Sequence, residues 1–232
     1  MTHSDPAELK RDAALKALDF VTGGMKLGLG TGSTAEAFLE VLAPRVKAGL
    51  KVTGVPTSER TAELCRKLSI PLGTLEDLAP LDLDIDGADE ADYQRDLIKG
   101  GGGAHLREKI VAASSKKMLV IADKSKLVRQ LGKFPLPVEV IAYGKSTTLA
   151  RMAAAFAGLG YANVPMTLRM KDGAPFKTDS GNIIYDCAFG AIANAPKLAA
   201  ALDTVTGVVE HGLFIGLATT LVIAGPDGVD VL

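Results

Sequence analysis

Short apolar runs, each stopped by a glycine- or aspartate-rich loop and followed by residues of helical period, dominate the first hundred and thirty positions. Met25-Lys26-Leu27-Gly28-Leu29 reads as a strand broken by Gly30-Thr31-Gly32-Ser33-Thr34, and Ala35, Phe38, Leu42 and Val46 then fall on one helical face. A strand over Lys51–Val55 gives way to Ser58, a helix cap, and to Ala62, Cys65 and Leu68. Leu81, Leu83 and Ile85 alternate with Asp82, Asp84 and Asp86, which is strand periodicity. Gly100–Gly103 precede a helix from about Leu106 to Ser114, and Met118–Ala122 is a buried strand. With a leading helix through Leu9, Ala13, Ala17 and Phe20, this alternation predicts an α/β fold on a doubly wound, mostly parallel sheet.

The pattern changes at Gly132-Lys133-Phe134-Pro135-Leu136-Pro137. Beyond it come a strand (138–143), a helix (147–158), two strands (164–170 and 182–189), a helix (196–202) and a strand (205–210). The order βαββαβ predicts a smaller ferredoxin-like α+β domain. The apolar tail from Leu213 to Ala224 returns to the first sheet as a further strand. The expected division is therefore residues 1–131 and 213–232 as the chemical domain, and 132–212 as the ferredoxin-like domain with an oligomerisation role.

At 232 residues, 47% of them hydrophobic and 23% charged, the chain has enough apolar mass for a real core and is not of disordered composition. Twenty-six basic against 27 acidic side chains leave a net charge of −1, which excludes nucleic acid or an anionic membrane surface held by bulk charge. Met1–Pro6 lack a signal-peptide pattern, and Leu213–Gly225 is too short to span a bilayer. Cys65 and Cys187 share no metal or redox spacing, and the three histidines are scattered. A reduced, cytoplasmic protein without a metal is expected.

Gly28–Thr34 lies between strand and helix, where backbone N–H groups and the helix dipole favour an anion, and Ser33 and Thr34 add hydroxyl donors. Its spacing is not the G-x-G-x-x-G of dinucleotide sites, and no lysine precedes Ser33 as a P-loop requires. The plainer reading is a tight turn. Asp82-Leu83-Asp84-Ile85-Asp86-Gly87 imitates the start of a calcium loop, yet Tyr93 stands where the bidentate glutamate belongs. Asp86-Gly87-Ala88-Asp89-Glu90 instead reads as a carboxylate cluster at a strand's C-terminal end, or as a solvated acidic turn. Four successive glycines after Lys99 are entropically costly, and a chain that keeps them needs exposed or unusually bent backbone. Glu108, early in the next helix, is either a general base or an acid favoured by the helix dipole. Lys124 or Lys126 could complete a phosphate or sugar-hydroxyl site or belong to a plain charged loop, Lys10 and Arg11 are weaker phosphate candidates, and His105 and His211 read as bystanders.

Taken together, Gly28–Thr34 (GLGTGST), Asp86–Glu90 (DGADE), Lys99–Gly102 with Arg107-Glu108-Lys109-Ile110, and Ser125-Lys126 resemble the signature blocks of the type A ribose-5-phosphate isomerases. Thr178–Ile184 and Gly207–Phe214 resemble that family's second domain. The resemblance implies an aldose–ketose isomerase that interconverts D-ribose 5-phosphate and D-ribulose 5-phosphate, in the pentose phosphate pathway, with no metal or organic cofactor. Substrate-binding positions carry over onto Thr31, Gly32, Ser33 and Thr34, onto Asp86, Gly87, Ala88 and Asp89, onto Lys99, Gly100, Gly101 and Gly102, and onto Lys126. The catalytic base carries over onto Glu108, with Lys99, Asp86 and Asp89 as its catalytic companions. Gly103, His105 and Leu106 depart from residues common in the family and flank the base. A homodimer or homotetramer acting on a small phosphosugar is the assembly implied. The alternatives are a non-catalytic sugar-phosphate sensor, a 6-phosphosugar deaminase and a CoA transferase.

Overall fold

The computed structural model describes residues 5–232, so the reading of the first four positions as free of a targeting signal lies outside the described residues. The chain forms two compact units. One takes in the chain up to Ala88, Arg107–Leu127 and Gly216–Leu232; the other takes in Asp89–Leu106 and Val128–Ile215.

The first unit is built on a six-stranded sheet ordered Gly228–Val231, Ala218–Gly225, Met118–Asp123, Leu83–Asp86, Lys26–Leu29, Thr53–Pro56. Every neighbouring pair is parallel except the C-terminal hairpin. Leu27, Leu29, Leu83, Ile85, Leu119 and Ile121 share a buried cluster with Ala13, Ala17, Phe38, Leu39 and Leu42 from the helices Pro6–Ala17 and Ser33–Lys47. The alternation of apolar residues along each strand turns into this layer because successive side chains point to opposite faces. Asp5 caps the first helix by accepting from Ala7 N–H, and Ser58 caps the helix Glu59–Lys67 by accepting from Thr61 N–H. In chain order the parallel strands run 2-1-3-4-5, and the order reverses between Lys26–Leu29 and Leu83–Asp86, the point where open sheets of this kind place ligands.

The second unit carries a four-stranded antiparallel sheet ordered Val208–His211, Leu136–Val140, Ile183–Cys187, Met166–Leu168. With the helices Lys145–Gly158 and Ala195–Asp203 this is the split βαβ arrangement in the order 4-1-3-2, as the sequence pattern predicts. Val138, Val140, Met152, Phe156, Leu198 and Leu202 form its core.

The contacts divide the chain elsewhere than at 131/132 and 212/213. Residues 89–106 go with the second unit because Leu97–Ile98 pairs on one side with Leu213–Phe214 and on the other with Glu90–Ala91. The Glu90 carboxylate also accepts from Gly132 N–H at 2.7 Å and Phe134 N–H at 2.6 Å. Two-residue strands leave no periodicity to read. The apolar tail divides likewise: Ala218–Gly225 joins the large sheet beside Met118–Asp123, whereas Leu213–Phe214 does not. Among the described residues no helix is long and apolar enough to cross a membrane.

Candidate active site

In the first unit the glycine loop leaves the central strand and closes at once against Asp86. Gly30 N–H donates to Ile85 O at 3.0 Å and Thr31 N–H to Asp86 Oδ1 at 3.1 Å. A Cβ on Gly30 would lie 2.1 Å from that oxygen and 2.6 Å from the Asp86 Cα, so only glycine permits this approach. The same Oδ1 accepts from Gly87 N–H at 2.7 Å. Asp86 is fully buried, and one of its oxygens is committed to holding the loop.

The Thr31 hydroxyl turns inward, lying 2.7 Å from Thr57 Oγ1, 2.9 Å from Ser58 Oγ and 3.1 Å from Thr61 Oγ1. Thr61 in turn donates to Gly30 O at 2.9 Å. This hydroxyl cluster went unread in the sequence; the one part of it visible there was the Ser58 cap. Thr31 thus builds the loop, while Ser33 and Thr34 open the helix Ser33–Lys47, whose cap residue Gly32 has no side chain to occupy the first-turn N–H groups. Lys10 Nζ donates to Ser33 Oγ at 2.9 Å, which brings a cation to this helix start. Lys10, Arg11 and Ser33 line a cleft of about 750 Å³. Gly87 sits beside Thr34, in the first turn of that helix, and the carbonyl of Ile121, in the strand Met118–Asp123. Lys126 lies in a short 3-10 turn just after the strand Met118–Asp123, which neighbours Leu83–Asp86. Ala88 is the last residue of this stretch of the unit.

Glu108 stands in the first turn of the helix His105–Ala113 and is 3% exposed. An acid placed there only for the dipole would face solvent, and Glu108 does not. Val111, one turn later on the same side, packs against Gly28 of the central strand. Arg107 points the other way, to an ion pair with Glu59 at 2.9 Å.

In the second unit Asp89 is half-buried, and its Oδ2 accepts from Gly101 N–H at 2.7 Å. Lys99 is 2% exposed, its N–H donates to Gly212 O at 2.8 Å, and its ammonium lies 5.5 Å from the centre of the Phe214 ring. Gly100 has φ +104°, Gly101 and Gly102 are exposed, and Gly103 N–H closes a turn on Gly100 O at 2.9 Å. Arg169, held by Asp186, donates to Gly100 O at 2.7 Å and Gly101 O at 3.2 Å. The sequence carried no signal for Arg169 or Asp186, an ordinary charged pair of which Arg169 lies 69 residues from Gly100 and Asp186 a further 17 along the chain. The unit boundaries fall after Ala88 and after Leu106, inside the DGADE block and inside the helix that bears Glu108.

A metal has one cluster of suitable side chains among the described residues, Asp203, Glu210 and His211. Leu213 N–H donates to His211 Nδ1 at 3.2 Å, so the ring proton is on Nε2 and points to Asp203 Oδ1 at 3.1 Å. A metal on Nε2 would move the proton to Nδ1, against the Leu213 N–H. The trio is better described as a hydrogen-bonded latch between the helix Ala195–Asp203 and the strand Val208–His211.

Residues 53–228 match the family described as ribose 5-phosphate isomerase A (phosphoriboisomerase A). The Brucella suis biovar 1 protein named ribose-5-phosphate isomerase A is 57% identical over 222 residues, spanning 96% of this chain and 95% of its own. Its namesake in Rhodopseudomonas palustris is 54% identical over 225 residues, 97% of either chain. The chain belongs to the ribose-5-phosphate isomerase A family. Among solved structures, ribose 5-phosphate isomerase from Plasmodium falciparum superposes with a TM-score of 0.92 at 38% identity over 97% of this chain and 98% of that one. A D-ribose-5-phosphate isomerase in complex with phospho-erythronic acid superposes with a TM-score of 0.91 at 35% identity over 99% of each. Membership in the isomerase A family therefore extends through both units, the split βαβ sheet included.

Proposed function

We propose that this chain is an aldose–ketose isomerase that interconverts D-ribose 5-phosphate and D-ribulose 5-phosphate through an enediolate. The observation that carries the reading is Glu108, a carboxylate buried in the first turn of a helix that packs on the glycine-loop strand, in a chain of the isomerase A family. The phospho-erythronic acid bound by one relative joins a phosphate to a planar, anionic carboxylate, which resembles the planar, anionic oxygen-bearing centre of an enediolate phosphate.

The roles follow from chemistry. Phosphate is held by Ser33, Thr34 and the N–H groups of their helix start, with Lys10 and Lys126 as cations. Asp89, half-buried, serves ring opening: it takes the proton of the C1 hydroxyl as the C1–O4 bond breaks and delivers it to O4. Asp86 keeps the loop in shape, and Gly87 and Ala88 complete that wall. The Glu108 carboxylate removes the C2 proton of the open aldose; the electron pair moves into a C1–C2 double bond and onto O1. Transfer of the O2 proton to O1 and return of the Glu108 proton to C1, as the O2 electron pair forms the C2 carbonyl, give the ketose. Lys99 and the N–H groups of Gly100 and Gly102 stabilise the enediolate oxygens, an interaction whose loss costs about 10²–10³ in rate where one donor is removed, while the Gly101 N–H holds Asp89. A homodimer or homotetramer in the cytoplasm acting on this phosphosugar, without nucleic acid or membrane, is part of the same proposal.

Purified protein incubated with ribose 5-phosphate and EDTA tests it. The expected result is ribulose 5-phosphate formed at an undiminished rate. Binding without turnover would replace this reading with the sensor, and ammonia release from an aminosugar phosphate would replace it with the deaminase.

A further inference from the structure

His105 and Glu139 are both fully buried in the second unit, with His105 Nε2 at 3.8 Å from Glu139 Oε2. The other Glu139 oxygen accepts from the Thr178 hydroxyl at 2.9 Å and the Asn182 amide at 2.8 Å. A buried carboxylate is tolerated when it is hydrogen-bonded and close to complementary groups, and His105 Nε2 stands beside its second oxygen. The opposite edge of the imidazole lies under the glycine loop: a Cβ on Gly100 would meet His105 Nδ1 at 2.7 Å. Asp89 pins the Gly101 N–H and Arg169 pins the Gly100 and Gly101 carbonyls, so the ring is the third support of a segment whose four glycines make it costly to order. His105 also opens the helix His105–Ala113, three residues before Glu108.

We propose that His105, anchored by Glu139, is a positioning residue that fixes the Lys99–Gly103 loop and the first turn of the helix bearing Glu108. The pair links the Thr178–Asn182 turn to that loop, a connection with no counterpart in the catalytic roles assigned above. Its effect on turnover rests on the isomerase reading, whereas its effect on the loop does not.

The test compares His105→Leu, Glu139→Gln and the double variant by two readouts. In the free protein, amide exchange in the 99–104 segment is expected to quicken at least about ten-fold in His105→Leu, with exchange in the large sheet unchanged. In the isomerase assay kcat is expected to fall about 10–100-fold with KM within about three-fold, the signature of misplaced rather than missing groups. Adding Glu139→Gln removes the buried carboxylate while keeping an acceptor for Thr178 and Asn182, so the double variant regains melting temperature but neither kcat nor slow exchange. Recovery of all three in the double variant would reduce His105 to a counter-charge and overturn the proposal, as would unchanged exchange in His105→Leu. Should His105→Leu fail to fold, the double variant supplies the same readouts. A wild-type protein without turnover would sink the isomerase reading while leaving the exchange comparison decisive for His105.

Discussion

One carboxylate oxygen of Asp86 accepts both the Thr31 N–H, at 3.1 Å, and the Gly87 N–H, at 2.7 Å. Two loops at the sheet's order reversal are thereby held by one atom, and the consequence separates shape from charge. Asp86→Asn keeps an acceptor in place, whereas Asp86→Ala strands two amide donors. Stranding buried donors costs about 1–3 kcal/mol each, so urea unfolding should find the alanine variant clearly weakened and the asparagine variant close to wild type. Equal losses in both would mean that the charge, not the acceptor, matters.

Gly30 is the second point at which the loop is constrained. Gly30→Ala forces a methyl into the Asp86 side chain and main chain, contacts that no rotamer relieves. Overpacking of this kind costs about 1–3 kcal/mol, and the displaced loop should raise KM more than it lowers kcat. Steady-state kinetics at fixed temperature reads both; a variant with wild-type KM would remove the loop from phosphate binding.

Both thiols should be silent in the folded protein. Burial pushes Cys65 up to about 11 and Cys187 higher still, with Asp186 adding to the latter shift. The thiolate is the reactive form, so alkylation at neutral pH should label neither cysteine until denaturant is added. Mass spectrometry of a labelled native sample that shows either adduct would contradict the packing around it.

Acid should loosen one surface tie of the first unit. Hydrogen bonds from Lys116 and from the Lys26 N–H hold Asp82 below its ordinary value of 3.8. A depressed folded value means that the contribution is fully present above the unfolded value and is lost as pH falls through the folded one. Asp82→Asn should therefore lower the melting temperature at pH 7 while converging on wild type at the lowest pH values. The gap should shrink in high salt, because the Lys116 ammonium is exposed. A gap independent of pH would assign the effect to packing.

Much of this was legible because the relevant residues break local propensity. Gly28–Thr34 and Lys99–Gly103 interrupt strand and helix patterns, and the aspartates of 82–86 sit on a strand period, so each announced itself within a few positions. The supports of those loops are what the sequence concealed. Thr57 and Thr61 bond to Thr31 across 26 and 30 residues, Arg169 reaches Gly100 across 69, and Glu139 meets His105 from the strand Leu136–Val140. These are common residue types whose meaning comes only from the partner the fold supplies. His105, a bystander in the sequence, is the sharpest case, and the assignment of 89–106 to the second unit is the same lesson for backbone pairing.

The central claim is that Glu108 carries the proton between C2 and C1. Glu108→Gln keeps the shape of a buried side chain and removes the base, and removal of a general base typically costs about 10²–10⁴ in rate. Ribulose 5-phosphate formation from ribose 5-phosphate, measured for wild type and Glu108→Gln over a range of substrate concentrations, tests this directly. The account predicts kcat lower by about 10²–10⁴-fold with KM within a few-fold. A Glu108→Gln variant with near-wild-type kcat would contradict it.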